Sequence, residues 1–175
     1  MIILGIDPGI SNPMGLVAWD TEQNRVTHTE VFRFDTIQKG TRPGEVPLSQ
    51  RLYLATRAVR HCIVNHTPCA IGIEEQIGRY SIRSLIETSY LVGRIQEIVD
   101  VHDAVWYLVK PAQAKQALAT TGTADKAQMI AMAVAYGVAL QGRRADREAL
   151  ADALGVALAT DYQIQGRMLV ERATG

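Results

Sequence analysis

The spacing of apolar positions changes along this chain, and each change marks an element. Ile2-Ile3-Leu4-Gly5-Ile6 is a short β-branched run stopped by Asp7-Pro8-Gly9, which predicts a buried strand ending in a tight turn. Leu16–Trp19 and Val31–Phe34 predict two further strands, joined by a polar hairpin connection over 20–29. Residues 37–47 predict an exposed loop. Leu48, Leu52, Ala55, Val59 and Ile63 then recur at helical spacing, so an amphipathic helix is expected over 48–65. A fourth strand is expected at 70–74, a helix carrying Leu85, Val92, Ile95 and Val99 over 81–99, and a fifth strand at 105–109. Helices over 112–118, 125–136 and 148–160 follow, the first two separated by Thr120-Thr121-Gly122-Thr123. Three strands followed by alternating helices and strands predict an α/β fold, a mixed five-stranded sheet with helices on both faces.

Composition narrows the class. The 175 residues suit one domain spanning 1–175, and 47% hydrophobic with 21% charged residues suits a folded core. Two cysteines, Cys62 and Cys69, are too few for a disulfide framework and fit a reducing compartment. The N-terminus has no basic segment and meets an acid at Asp7, unlike a signal peptide, and no apolar run reaches the length of a membrane span. A cytoplasmic protein with no membrane partner is expected. Lys+Arg 18 against Asp+Glu 18 gives a net charge of zero, so global electrostatics lends nothing to a nucleic-acid partner. The charges have to be read by position.

Two acids end apolar strands. Asp7 follows the first strand and Glu74 closes Ile71-Gly72-Ile73, at the strand ends where α/β sheets assemble their sites. Asp-Pro-Gly is also ordinary turn chemistry, and the second acid is what turns the balance. Glu74 reads as the inward acid and Glu75 as solvent-facing. Asp152 interrupts an alanine-rich apolar helix, with Glu148 four residues earlier on the same face. Asp146 has the simpler reading of a helix cap. Carboxylates without His or Cys partners select a hard cation, Mg²⁺ or Mn²⁺. Cys62 and His66 stand four apart on a helix but are too few for zinc, and read as a core and a surface residue. No Ser-His-Asp or phosphate-loop pattern is present.

Five ordered pieces, ILGIDPG, IGIEEQ, Leu91-Val92-Gly93-Arg94, VKPAQAKQALATTGTADKAQM and ADALGVALA, resemble the RuvC Holliday-junction resolvases of the ribonuclease-H-like superfamily. The resemblance implies a homodimeric, Mg²⁺-dependent endonuclease that nicks symmetric strands of a four-way DNA junction, with Mn²⁺ as substitute. It assigns metal binding to Asp7, Glu74 and Asp152, and DNA-backbone contact to Lys115 and Lys126, which otherwise read as surface lysines. It also assigns dimer contact to the helix carrying Gly93. A branch-migration motor stays open as a further partner.

Three departures from the family pattern stand out. The family's fourth acid falls on Ala149, leaving Glu148 or Asp146 to supply it. The phenylalanine after the central acid is replaced by Ile77, with Arg79 and Tyr80 following as candidates for phosphate contact and base stacking. The segment Ile10-Ser11-Asn12-Pro13-Met14 is less glycine-rich than usual.

The expected chemistry is hydrolysis by water with two ions per site. One lies between Asp7 and Asp152 with Glu148 nearby, and the other between Asp7 and Glu74. Lys115 or Lys126 offsets the phosphorane charge. Rival readings are a broader fork and flap nuclease, a junction-binding protein whose catalysis is weakened by Ala149, and, more weakly, an actin-like ATPase.

Overall fold

The computed structural model describes residues 1–10, 12–33, 46–76, 81–139 and 141–174, with side chains as far as 167. The strands are β1 (Ile2–Asp7), β2 (Met14–Asp20), β3 (Arg25–Phe32), β4 (Ala70–Glu74) and β5 (Val105–Val109). The helices are α1 (Leu48–His66), α2 (Ile82–Val101), α3 (Pro111–Ala119), α4 (Lys126–Ala135) and α5 (Arg144–Thr174). They form the expected mixed sheet, in the order β3-β2-β1-β4-β5. Strands β1, β2 and β3 pair antiparallel, while β4 and β5 run parallel to β1 and to each other.

The period-two alternation of β1 and β4 divides the core. Leu4, Ile6, Ile71 and Ile73 face α1 and α2, where they join Leu52, Val59, Leu91 and Ile95. Ile3 and Ala70 face the opposite side and join residues of α3, α4 and α5. Glycines on that side let α5 lie unusually close. A Cβ on Gly5 would collide with the Ala153 carbonyl and Ala157, and one on Gly72 with Val156 and Thr160. Asp161 farther along α5 accepts a hydrogen bond from Trp19 Nε1 at 3.3 Å, tying the helix to β2.

Two boundaries differ from expectation. Strand β3 begins at Arg25 and leaves a turn of only four residues, 21–24. The Asp20 carboxylate accepts from the Glu22 and Gln23 amides, and Asn24 takes a positive φ of 51°, so side-chain chemistry closes a hairpin where hydrophobicity alone suggested a long connection. Its end at Phe34 and most of the 37–47 loop lie outside the described residues. Helix α5 has 31 residues, not the 148–160 core alone, because the polar segment beyond the apolar stretch continues as helix past the sheet. The other elements agree within a few residues.

Candidate active site

The parity that buries β1 and β4 also aims their last side chains. Asp7 and Glu74 share a face with Gly5 and Gly72, which are paired in register, so the two acids end adjacent parallel strands on the side covered by α5. The close seat of α5 on these glycines brings Asp152 to the same place. All three acids line one cleft of about 280 Å³, with Asn12, Gln76, Ser84, Thr88, Lys126, Glu148 and Ala149 also on its walls.

The capping of α4 delivers the cation. The Asp125 carboxylate accepts from the Gln128 amide at 2.8 Å, and Gln128 Oε1 accepts from the Asp125 amide at 2.9 Å. Lys126 is therefore the first helical residue, and its Nζ donates to Asp152 Oδ2. Lys115 on α3 does not line the cleft, but its charge reaches Glu74.

Negative charge dominates this corner. Burial, reinforced by Glu74 and Asp152, holds the Asp7 carboxyl well above the usual carboxylate range. Burial and then Asp152 push Glu74 up to about 7, against the pull of Lys126 and Lys115, and Asp7 and Glu74 are joined by a hydrogen bond. Burial works against the charge on Lys126, but Asp152, Asp7 and Glu148 outweigh it and leave the ammonium more basic than usual. A buried carboxylate pair held partly protonated beside one lysine is a site short of positive charge. Its all-oxygen donors fit a hard divalent cation. Among the described residues, the carboxylate oxygens of Asp7, Glu74 and Asp152 do not all come within 4.8 Å of one another.

The structure separates the two candidates for a fourth acid. Glu148 lines the cleft, though Arg144 Nε donates to its Oε1 at 2.8 Å. Asp146 is only 2% exposed and points elsewhere, with Oδ2 accepting from the Arg143 amide at 2.7 Å and Oδ1 lying 3.3 Å from Arg33 Nε. Arg79 and Tyr80, like Ile77, lie outside the described residues. Sequence reasoning missed Asn12, Gln76, Ser84 and Thr88, whose place in the cleft depends on how α2 and the turn after β1 pack. Nor does the sequence of α1 distinguish Arg51 from Arg57 and Arg60 on the same helix. Arg51 is 2% exposed, and donates to Glu87 Oε2 at 3.0 Å and to the Ile10 carbonyl at 3.4 Å, bracing the cleft wall from behind.

The sheet order, with acids at the ends of its two central parallel strands and on the helix above them, defines an α/β protein of the ribonuclease-H-like class. The family model for crossover junction endodeoxyribonuclease RuvC matches residues 3–160. The chain belongs to the RuvC family. RuvC of Mycobacterium ulcerans is 31% identical over 159 residues, 90% of this chain and 82% of that protein. RuvC of Mycobacterium tuberculosis is 30% identical over 164 residues, covering 90% and 80%. Thermus thermophilus RuvC superposes with a TM-score of 0.73 at 28% identity, covering 95% of this chain and 97% of that one. The same protein in complex with Holliday junction substrate gives 0.74 at 25% identity, covering 94% and 96%. Membership implies divalent-metal-dependent catalysis.

Proposed function

We propose that this protein is an endodeoxyribonuclease that resolves four-way DNA junctions by paired nicks. The observation that carries this reading is the convergence of Asp7, Glu74 and Asp152, from three elements, on one cleft with Lys126. Relatives of the same length class are named crossover junction endodeoxyribonucleases, and one of them was solved with a Holliday junction.

Asp7 with Asp152, and Asp7 with Glu74, would hold two Mg²⁺ ions, or Mn²⁺ in their place, which would supply activation of water and stabilisation of the leaving 3′ oxygen. Asp7 is the shared ligand, and β1 holds it rigidly through its pairing on both sides. Lys126, which now pairs with Asp152, would offset charge developing on the phosphorane once Asp152 is engaged by a cation. Lys115 adds a weaker field from α3. Glu148 completes the ligand set from the cleft rim, and Arg79 and Tyr80 contact the DNA next to the cut.

Paired nicks require two copies. The outward face of α2 carries Ile82, Ile86, Tyr90 and Val101, 78%, 47%, 57% and 75% exposed, and Gly93 on the same helix has open space around it. An apolar stripe of this kind suits a homodimer.

The test is cleavage of a labelled synthetic four-way junction in Mg²⁺, beside Y-fork and flap substrates. Symmetric nicks by the wild type, lost in Asp7→Asn and Glu74→Gln with junction binding retained, are expected. Full cleavage by either variant, binding with no cleavage even in Mn²⁺, or equal cutting of forks and flaps would each overturn the reading.

A further inference from the structure

The three-dimensional structure supplies a third residue to a pair that the sequence left incomplete. Cys62 and His66 stand one turn apart on α1, and His28 reaches them from the edge strand β3. Ligand atoms of the three lie within 4.8 Å of one another, the only such group of His, Cys, Asp or Glu among the described residues. Cys62 is the core residue its sequence suggests, 1% exposed, and His66 is half-buried; the fold adds His28, a position too far away in sequence to suggest it. We propose that His28, Cys62 and His66, with Glu30 as fourth ligand, form a Zn²⁺ site that pins the sheet edge to α1.

Register places the donors on one side. His28 and Glu30 pair with Ala18 and Leu16, and Leu16 faces α1, so both side chains point toward that helix. Glu30 Oε2 stands 3.6 Å from His28 Nε2, beside but outside the group of three donors that lie within 4.8 Å of one another, so it would swing in to complete the set. The two imidazoles already meet in a tilted arrangement, with centroids 4.4 Å apart and planes at 31°. Two ring nitrogens, one sulfur and one carboxylate oxygen are a donor set for zinc, and a poor one for Mg²⁺.

Tetrahedral zinc holds such atoms about 3.3–3.7 Å apart, so drawing His28, Cys62 and His66 together needs a movement of about 1 Å, and Glu30 follows them in. The donors are placed to give it. A bulge in the β2–β3 ladder falls at Ala18/Trp19, opposite His28, and such irregularities re-aim nearby side chains. His66 ends α1, and Thr67 after it adopts a left-handed cap at φ 43°. A cation there also meets the negative end of the helix dipole. Binding forms a Zn–S bond in place of the S–H bond, and the thiol proton leaves to solvent.

This centre is distinct from the carboxylate cleft. Asp7 points to the α5 side of the sheet, whereas His28 lies on the α1 side, two strands across and three residues below the strand ends. Neighbouring groups do not complete it. His61 is engaged with Asn65 Nδ2, 3.0 Å from its Nε2, and the other cysteine, Cys69, is exposed near the start of β4.

Cobalt substitution tests the proposal, because a thiolate-to-cobalt charge-transfer band cannot come from the carboxylate cleft. Metal-stripped protein titrated with Co²⁺ should develop that band with tetrahedral visible bands at one ion per chain, and Zn²⁺ should bleach both. Cys62→Ser should abolish the thiolate band, and Cys69→Ser and Asp7→Asn should keep it. His28→Gln and His66→Gln should each weaken Co²⁺ binding by about tenfold or more. These two positions are only half-buried, so the variants remain informative if Cys62→Ser fails to fold. Absence of the band in the wild type, its loss in Cys69→Ser, or indifference to both histidine substitutions would overturn the proposal.

Discussion

Replacing Glu74 by glutamine should destroy the nuclease and yet make the metal-free protein more stable. Above neutral pH the unfolded chain carries Glu74 as a hydrated carboxylate, whereas folding places that charge beside Asp7 and Asp152 in a buried corner. Displacement of its pKa from 4.5 to about 7 corresponds to roughly 3 kcal/mol, at about 1.36 kcal/mol per pKa unit. That net shift already includes the attraction of Lys126; a poorer fit of the amide to the hydrogen bond with Asp7, worth about 1 kcal/mol, leaves an expected gain of about 2 kcal/mol.

The sign depends on pH. A raised folded-state pKa means that the folded protein holds a proton the unfolded chain has already lost. Stability from this group is therefore fully present below about pH 4.5 and falls away as pH rises through about 7. Urea denaturation in chelator should accordingly show Glu74→Gln more stable at pH 8 by about 2 kcal/mol, or about 4–8 °C in Tm for a chain of this size. At pH 4 the two proteins should nearly coincide. Addition of Mg²⁺ should reverse the order at pH 8, since an ion bound only by the folded wild type stabilises it by mass action. An unchanged or lower stability of Glu74→Gln at pH 8, or an equal gain at both pH values, would refute the view that this corner is short of positive charge.

The remaining predictions probe the frame around the cleft. Gly5→Ala forces α5 off the sheet and should cost more than about 3 kcal/mol in urea denaturation, with loss of cleavage. Arg51→Ala leaves Glu87 with the exposed Arg83 in place of its buried partner and should cost about 3 kcal/mol, whereas the double change Arg51→Met, Glu87→Leu should cost markedly less in the same measurement. Ala149→Asp restores a carboxylate one turn from Asp152 on the cleft wall, and should lower the Mg²⁺ concentration for half-maximal junction cleavage. Tyr90→Asp places a charge in the α2 stripe, and should convert a dimer into a monomer by light scattering while leaving the fold, followed by circular dichroism, intact.

What could be read from sequence divides along physical lines. Asp7, Glu74 and Asp152 were conspicuous because each breaks a local apolar pattern, and a buried charge needs a compensating reason. Strand parity then places the first two on one face without knowledge of the neighbours. Pairings between distant segments were not legible. Arg51 looks like any helical arginine until α2 brings Glu87 against it, 36 residues later. His28 looks like an edge-strand polar residue until β3 folds over α1. The start of β3 was lost for a related reason, since the four-residue turn rests on Asp20 bonding two backbone amides, a contact that hydrophobic periodicity does not report.

The zero net charge also resolves into two parts. Set aside Asp7, Glu74, Glu148 and Asp152, and 18 cations stand against 14 remaining acids, a balance of +4. Not all of that basic remainder is uncommitted. Arg51 and Arg83 are paired with Glu87, Arg33 with Asp146, and Arg144 with Glu148. Arg57, Arg60 and Arg94 remain exposed around the groove between α1 and α2, away from the acids. A phosphate approaching the cleft of the metal-free protein therefore meets mainly carboxylates and one lysine already committed to Asp152. Divalent cations change more than the chemistry there. Under the proposed two-ion site they would reverse the sign of the local field and free Lys126 for the DNA, so metal loading and DNA engagement should be one linked electrostatic event, weakened together by added salt.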